Sequence, residues 1–66
     1  MRLKINGEMV EDLKAVTVTE LLDELKVLPE RVAVEVNLKI VKKEDYRSFA
    51  LRAGDTVEIV NFVGGG

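Results

Sequence analysis

Residues 1–26, MRLKINGEMVEDLKAVTVTELLDELK, specify the first half of the fold, because their hydrophobic period changes once, from two to about 3.6 residues. Apolar and charged residues alternate over 1–5, as they do in a half-buried strand. Asn6-Gly7 follows and predicts a tight type I′ turn, because both residues tolerate a positive φ. We therefore expect a β-hairpin whose second strand runs back over residues 8–15.

The second part of this stretch predicts an amphipathic helix over residues 17–26. Thr17 and Glu20 have the T-x-x-E spacing of a capping box, in which each side chain accepts a hydrogen bond from a free backbone N–H group. Pro29 is expected to end the helix by residue 27 or 28. The apolar positions lie at i, i+3, i+4 and i+7, namely Val18, Leu21, Leu22 and Leu25.

Strand patterns return after the helix. Residues 31–37, RVAVEVN, alternate and are rich in β-branched side chains, which favours a strand with its valines in the core. A short edge strand is predicted over 38–41, and residues 44–50 are expected to be irregular or a single helical turn anchored by their two aromatic residues. Residues 53–55 form a turn, and 56–62 form the last strand.

This order of elements predicts an α+β fold in which one helix packs across a mixed sheet of four to five strands. The first and last strands of such a sheet lie side by side and parallel at its centre, which is the β-grasp or ubiquitin-like architecture. Residues 1–63 are expected to form this one domain, and residues 64–66 a flexible C-terminal tail of glycines. A chain of 66 residues has no room for a second core.

The composition excludes several kinds of chemistry, because the chain contains neither Cys nor His. Without Cys there is no disulfide, thiolate nucleophile or Cys-ligated metal centre, and without His the commonest general base is missing. Hydrolysis by a Ser-His-Asp or Cys-His arrangement is excluded within this chain, and no metal, cofactor or catalytic residue is expected. Adjacent carboxylates such as Asp23 and Glu24 diverge on a helix, so they do not form an acid–base pair.

Charge and hydropathy also narrow the range of partners. A net charge of −2 and a pI near 5.0 are a poor electrostatic match for nucleic acid or an anionic membrane. No apolar run approaches the roughly 18 residues of a membrane span, and the N-terminal MRLKI does not have the pattern of a signal peptide. We therefore expect a cytoplasmic protein that binds neither nucleic acid nor membrane.

The sequence ends in Gly64-Gly65-Gly66, directly after a predicted strand rather than after a polar linker. A run of glycines is often a frayed end or an expression remnant. It is also able to enter a narrow channel, because glycine has no Cβ. The carboxylate of Gly66 is the one chemically distinctive group of the chain, and the four residues from Val63 reach at most ~13–14 Å beyond the sheet.

Val60 and Phe62 share one face of the last predicted strand with Glu58, opposite the core face. They are apolar side chains on an otherwise charged surface. Either they pack locally under a loop, or they form a docking patch beside the tail, since exposed apolar clusters mark partner sites. In the docking interpretation Val63 extends the patch toward the glycines.

A group of basic residues between positions 39 and 52 is interpreted as a solvated face. Glu44 and Asp45 are interleaved with it, which is unfavourable for a stripe that binds phosphates. The basic residues are Lys39, Lys42, Lys43, Arg47 and Arg52.

The element order and the C-terminal sequence together resemble the ThiS family, the small sulfur carriers of thiamine biosynthesis. The resemblance covers essentially all 66 residues. Its most specific part is the ending, in which Gly54-Asp55 is followed by VEIV at 57–60 and by FVGGG at 62–66. One departure is Leu38-Lys39, where many relatives have a turn-forming residue after the Asn.

The resemblance implies a carrier rather than an enzyme. An adenylating enzyme of the ThiF type would use ATP to activate the carboxylate of Gly66, and sulfur taken from cysteine through a desulfurase would displace AMP to leave a thiocarboxylate. A thiazole synthase of the ThiG type would then take that sulfur into the thiazole ring. Gly64 and Gly65 would form the arm, with Val60 and Phe62 as docking residues.

The sequence leaves three other functions open. A carrier of the same fold serves molybdopterin synthesis or tRNA thiolation, a ubiquitin-like modifier forms isopeptide bonds through its last glycine, and a binding domain with incidental glycines does neither. A carrier gains sulfur when it is given its activating enzyme, ATP and a sulfur source, whereas a modifier forms conjugates with lysine.

Overall fold

The computed structural model describes residues 1–62, and Val63 and the glycines at 64–66 lie outside the described residues. The helix and strands are β1 (Leu3–Ile5), β2 (Glu8–Val10), α1 (Val18–Glu24), β3 (Val32–Val36), β4 (Lys39–Val41) and β5 (Thr56–Asn61). Two 3₁₀ turns, Pro29–Arg31 and Lys43–Asp45, precede β3 and follow β4. Within residues 1–62, no helix is long and apolar enough to span a membrane.

The five strands form one mixed sheet in the order β2-β1-β5-β3-β4. β1 and β5 are parallel neighbours, whereas the other neighbouring pairs are antiparallel. The helix packs on one face of this sheet, so the predicted β-grasp fold is confirmed. The largest fully buried side chains come from both layers and are Leu3, Val18, Leu21, Leu22, Val32, Val34 and Val57.

The first hairpin turns as predicted, but its second strand is shorter than predicted. Asn6 and Gly7 have φ of 49° and 88°, the two positive values that a type I′ turn requires. β2 then ends at Val10 instead of continuing to residue 15. Asp12 has a φ of 60°, which interrupts the extended backbone.

Two helix carboxylates bind the backbone that follows this interruption. The N–H groups of residues 14 and 15 donate to the Glu24 carboxylate at 2.8–3.1 Å, and those of residues 16 and 17 donate to Glu20 Oε1 at 2.8 and 3.1 Å. The backbone donors of residues 14–17 are therefore bound to α1, whereas the Leu13 N–H donates to the Met1 carbonyl at 2.9 Å. The Glu20 N–H also donates to Thr17 Oγ1 at 3.2 Å, which confirms the predicted capping box.

The helix ends at Glu24, before the position predicted from the proline. Lys26 adopts a left-handed conformation with φ of 61°. Its N–H donates to the Asp23 carbonyl at 3.0 Å, and the Val27 N–H donates to the Leu22 carbonyl at 2.8 Å. These are the two hydrogen bonds of a Schellman motif. The Schellman motif therefore ends the helix, and Pro29 lies beyond that end.

The segment between β4 and β5 docks on the start of the helix. The N–H groups of Val18 and Thr19 donate to the carbonyls of Phe49 and Tyr46 at 3.1 and 3.0 Å, which satisfies donors that the first turn of a helix leaves free. Tyr46 is buried, with its hydroxyl 3.4 Å from the Val32 carbonyl, and Phe49 is partly buried against the core, so the predicted aromatic anchors are confirmed. Burial raises the pKa of the Tyr46 hydroxyl, because a phenolate would lose its hydration.

Candidate functional site

β5 carries both candidate docking residues at its end. It lies between β1 and β3, so it is hydrogen-bonded along both edges. Val57 is completely buried on the core face, whereas Val60 and Phe62 leave 57% and 52% of their surfaces exposed. Within residues 1–62 about half of each side chain is therefore open to a partner, and their docking role stays a prediction. Val63, the third predicted docking residue, lies outside the described residues.

The end of β5 is held firmly against the start of β3. Their antiparallel pairing continues as far as Val32 and Asn61, and the Phe62 N–H then donates to the Arg31 carbonyl at 2.9 Å. Val60 lies opposite Ala33, whose small side chain covers little of it. The backbone is therefore fixed up to Phe62, and the predicted glycine arm follows from an anchored position.

Negative charge bounds this apolar pair on one side. Glu35 and Glu58 occupy directly opposed positions of β3 and β5, one step along the face from Val60. Two like charges so placed destabilise a sheet, and the fold tolerates them here. A partner that binds Val60 and Phe62 therefore meets two carboxylates beside them.

Positive charge bounds the pair on the other side through Lys43, a site residue that sequence reasoning missed. The Lys43 Nζ lies 5.2 Å from the centroid of the Phe62 ring and donates to the Glu30 carbonyl at 3.0 Å. The interpretation of Lys43 as part of a solvated face is therefore incomplete, although the side chain is exposed. No spacing rule links residues 43 and 62, because their contact depends on the way β3 and β4 lie beside β5.

The other candidate groups of residues 1–62 do not assemble into a reaction centre. No cluster of three or more Asp, Glu, His or Cys side chains suited to a metal ion occurs in this part of the chain. Glu20 and Glu24 are engaged with backbone N–H groups, as described above. Gly64, Gly65 and Gly66, the predicted arm and sulfur-carrying end, lie outside the described residues.

The sheet order and the single helix define a β-grasp domain, and the end of its central strand exposes the apolar side chains of Val60 and Phe62. Residues 2–66 match the model of the ThiS family. The chain belongs to the ThiS family, as its C-terminal sequence predicted, and its predicted function as a sulfur carrier in thiamine biosynthesis agrees with that family.

Sequence identity to individual proteins supports membership of this family. The sulfur carrier protein ThiS of Bacillus subtilis (strain 168) is 40% identical over 65 residues, which cover 97% of this chain and 98% of that protein. A thiazole synthase of Paramagnetospirillum magneticum is 50% identical over 66 residues, which are 100% of this chain and 20% of that enzyme. The chain thus spans one fifth of the length of this relative.

A solved structure shows the same fold. The crystal structure of the thiamine biosynthesis protein ThiS from Geobacter metallireducens superimposes with a TM-score of 0.85 at 39% sequence identity, over 100% of both chains. The similarity therefore extends over the complete domain.

Proposed function

We propose that this chain carries sulfur for thiazole formation in thiamine biosynthesis, as a thiocarboxylate at Gly66. The observation that carries the proposal is the match to the ThiS family, which extends through the glycines to residue 66. The geometry supports it, since β5 is anchored up to Phe62, and the glycines at 64 and 65 place no side chain between Val63 and the last residue. Such an arm is suited to a narrow channel in a partner.

The chemistry needs activation by a partner, because a carboxylate is a poor electrophile. An adenylating enzyme of the ThiF type joins a Gly66 carboxylate oxygen to the α-phosphate of ATP, and pyrophosphate leaves. A desulfurase takes the sulfur of cysteine as a persulfide, and thiols reduce this persulfide to sulfide while they are oxidised to a disulfide. The sulfide then attacks the acyl carbon, and AMP leaves. The chain acts as a carrier rather than a catalyst in this scheme, in keeping with a sequence that contains neither Cys nor His.

A thiazole synthase of the ThiG type is the proposed acceptor of the sulfur. The similarity to one fifth of a thiazole synthase supports this pairing, because a carrier-like sequence and a synthase occur there in one chain. We assign the docking of both partners to Val60 and Phe62, continued by Val63. Burying the exposed halves of Val60 and Phe62 would contribute roughly 1.5–3 kcal/mol to such a complex.

The test is the intact mass of the protein after incubation with the cognate adenylating enzyme, ATP and sulfide. The expected result is a mass gain equal to the replacement of one oxygen by one sulfur, dependent on ATP and located at Gly66 by fragmentation. Conjugates with lysine side chains would instead identify a protein modifier, and an unchanged mass would contradict the proposal. Transfer of the sulfur to a thiazole synthase then separates thiamine biosynthesis from molybdopterin synthesis and tRNA thiolation.

A further inference from the structure

Lys43 joins three segments of the chain at the end of β5. It begins the 3₁₀ turn that follows β4, and its Nζ donates to the carbonyl of Glu30 in the turn that precedes β3. The same Nζ lies 5.2 Å from the Phe62 ring centroid, within the roughly 6 Å over which an ammonium group is attracted to an aromatic face. The hydrogen bond to Glu30 holds the ammonium group over the ring.

The backbone of Phe62 is held by a different neighbour. Its N–H donates to the Arg31 carbonyl at 2.9 Å. The ring of Phe62 therefore contacts Lys43, and its backbone is bound to Arg31 in the same 3₁₀ turn that holds the Lys43 ammonium group through Glu30. The ring nevertheless leaves 52% of its surface exposed, so the contact with Lys43 orients the aromatic group without removing it from a partner's reach.

We propose that Lys43 is a positioning residue for sulfur transfer, which holds the Phe62 ring in the orientation that the adenylating enzyme binds. The inference rests on the proposed function, because it assumes that this enzyme docks on Phe62. An aromatic side chain that is already oriented loses less conformational entropy on binding. Lys43 therefore acts on the formation of the complex and leaves the chemical step at Gly66 unchanged.

This role predicts that loss of the Lys43 ammonium group changes KM and leaves kcat unaltered. An interaction that contributes equally to the bound ground state and to the transition state changes KM and leaves kcat unaltered. A cation–π contact at an exposed site contributes about 0.5–1 kcal/mol, which corresponds to a two- to fivefold change in affinity. Lys43→Met, which removes the ammonium group and keeps a long side chain, is expected to raise the KM of the adenylating enzyme for the carrier by this factor.

Two matched variants separate positioning from general charge. Lys43→Arg retains a cation over the ring and is expected to restore KM to within about twofold of wild type. Lys42→Met removes the same charge from the neighbouring exposed position, and its effect on KM is expected to be smaller than that of Lys43→Met. Initial rates of pyrophosphate exchange, measured with the carrier as the varied substrate, give KM and kcat for each protein. Equal effects of Lys42→Met and Lys43→Met, or a loss in kcat alone, would overturn the inference.

A second measurement tests the contact in the free protein. The ε-methylene protons of Lys43 are expected to be shifted upfield by the ring current of Phe62, and Phe62→Leu is expected to abolish that shift in NMR spectra. Absence of the shift in the wild type would also overturn the inference. If the wild type is not adenylated at all, the proposed function and the inference both fail. If it is adenylated normally and Lys43→Met behaves as Lys42→Met does, the inference alone fails.

Discussion

The side-chain amide of Asn6 pairs with the backbone of Ile59 as a residue of a neighbouring strand would. Asn6 Nδ2 donates to the Ile59 carbonyl at 3.1 Å, and Asn6 Oδ1 accepts from the Ile59 N–H at 2.8 Å. β1 ends one residue earlier, so the amide extends the pairing of β1 with β5 by one step. Asn6 therefore has two roles, as a left-handed turn residue and as a clamp on the strand that carries Val60 and Phe62.

Asn6→Gly separates these two roles, because glycine keeps the positive φ and removes the amide. We expect the free energy of unfolding in urea to fall by about 1–3 kcal/mol, the net value of two hydrogen bonds. Asn6→Asp retains the acceptor for the Ile59 N–H but sets a carboxylate oxygen against the Ile59 carbonyl, so its free energy of unfolding should also lie below that of wild type. If Asn6→Gly is as stable as wild type, the clamp makes no net contribution.

Leu38 is expected to be a strained residue whose replacement stabilises the fold. Asn37 and Leu38 form the turn between β3 and β4 with φ of 52° and 72°, and a left-handed conformation costs a residue with a Cβ about 1–2 kcal/mol. Leu38 is 86% exposed, so Leu38→Gly loses little packing. Relief of the strain raises the free energy of unfolding, and the greater freedom of glycine in the unfolded chain offsets part of that increase. The expected net increase is about 0.5–1 kcal/mol.

Thermal unfolding tests this prediction, with a rise of several degrees expected for a domain of this size. Leu38→Ala is the control, because it removes the exposed side chain and keeps the Cβ. It should show no comparable rise. A lower melting temperature for Leu38→Gly than for wild type would be inconsistent with strain at this position.

Phe62→Asp tests the docking surface. The variant should fold, since Phe62 contributes little to the core, and its affinity for the adenylating enzyme should fall at least tenfold, or about 1.4 kcal/mol. Met9→Asp is a matched control, because Met9 is 50% exposed and lies on the edge strand β2, away from the end of β5. Titration calorimetry gives both affinities, and thermal melts check the folds. Equal losses for the two variants would argue against a docking site at Phe62.

The glycine arm should be sensitive to position. Deleting Gly66, or appending one residue after it, is expected to abolish thiocarboxylate formation, because a displacement of about 1 Å from the reacting geometry can cost about 100-fold in rate. Gly65→Val should impair the reaction strongly and Gly64→Ala only mildly, since Gly64 is farther from the carboxylate. Intact masses after the activation reaction report the chemistry, and unchanged melting temperatures show that the domain is intact. Sulfur gained by the protein that lacks Gly66 would contradict the assignment.

Tyr46 should make the fold less stable in alkali. Its raised pKa means that the folded chain keeps the phenolic proton at a pH where the unfolded chain has released it. Stability is therefore complete below about pH 10, the ordinary pKa of tyrosine, and is lost as the pH rises from there through the folded-state pKa. Tyr46→Phe should show a smaller loss of unfolding free energy between neutral and alkaline pH. Parallel pH profiles for the two proteins would exclude this role for Tyr46.

Much of the fold is predictable from local patterns of residues. The alternation over 31–37 predicts β3 with its valines in the core, because a strand turns successive side chains to opposite faces. Thr17 and Glu20 predict the capping box, and Asn6-Gly7 predicts the turn, because both motifs depend on residues close together in the chain. The exposed pair Val60 and Phe62 follows from the same two-residue period in β5.

Other features depend on contacts between residues that are distant in sequence. β2 stops at Val10, two residues before the left-handed Asp12, and carboxylates of the helix bind the backbone N–H groups of residues 14–17. No pattern within 8–15 signals these contacts. Lys43 reaches Phe62 only when β3 and β4 lie beside β5, and Asn6 clamps Ile59 only when β1 and β5 are parallel neighbours. In each case the hydrogen-bonding or charged group is visible in the sequence, but its partner is selected by the packing of the sheet.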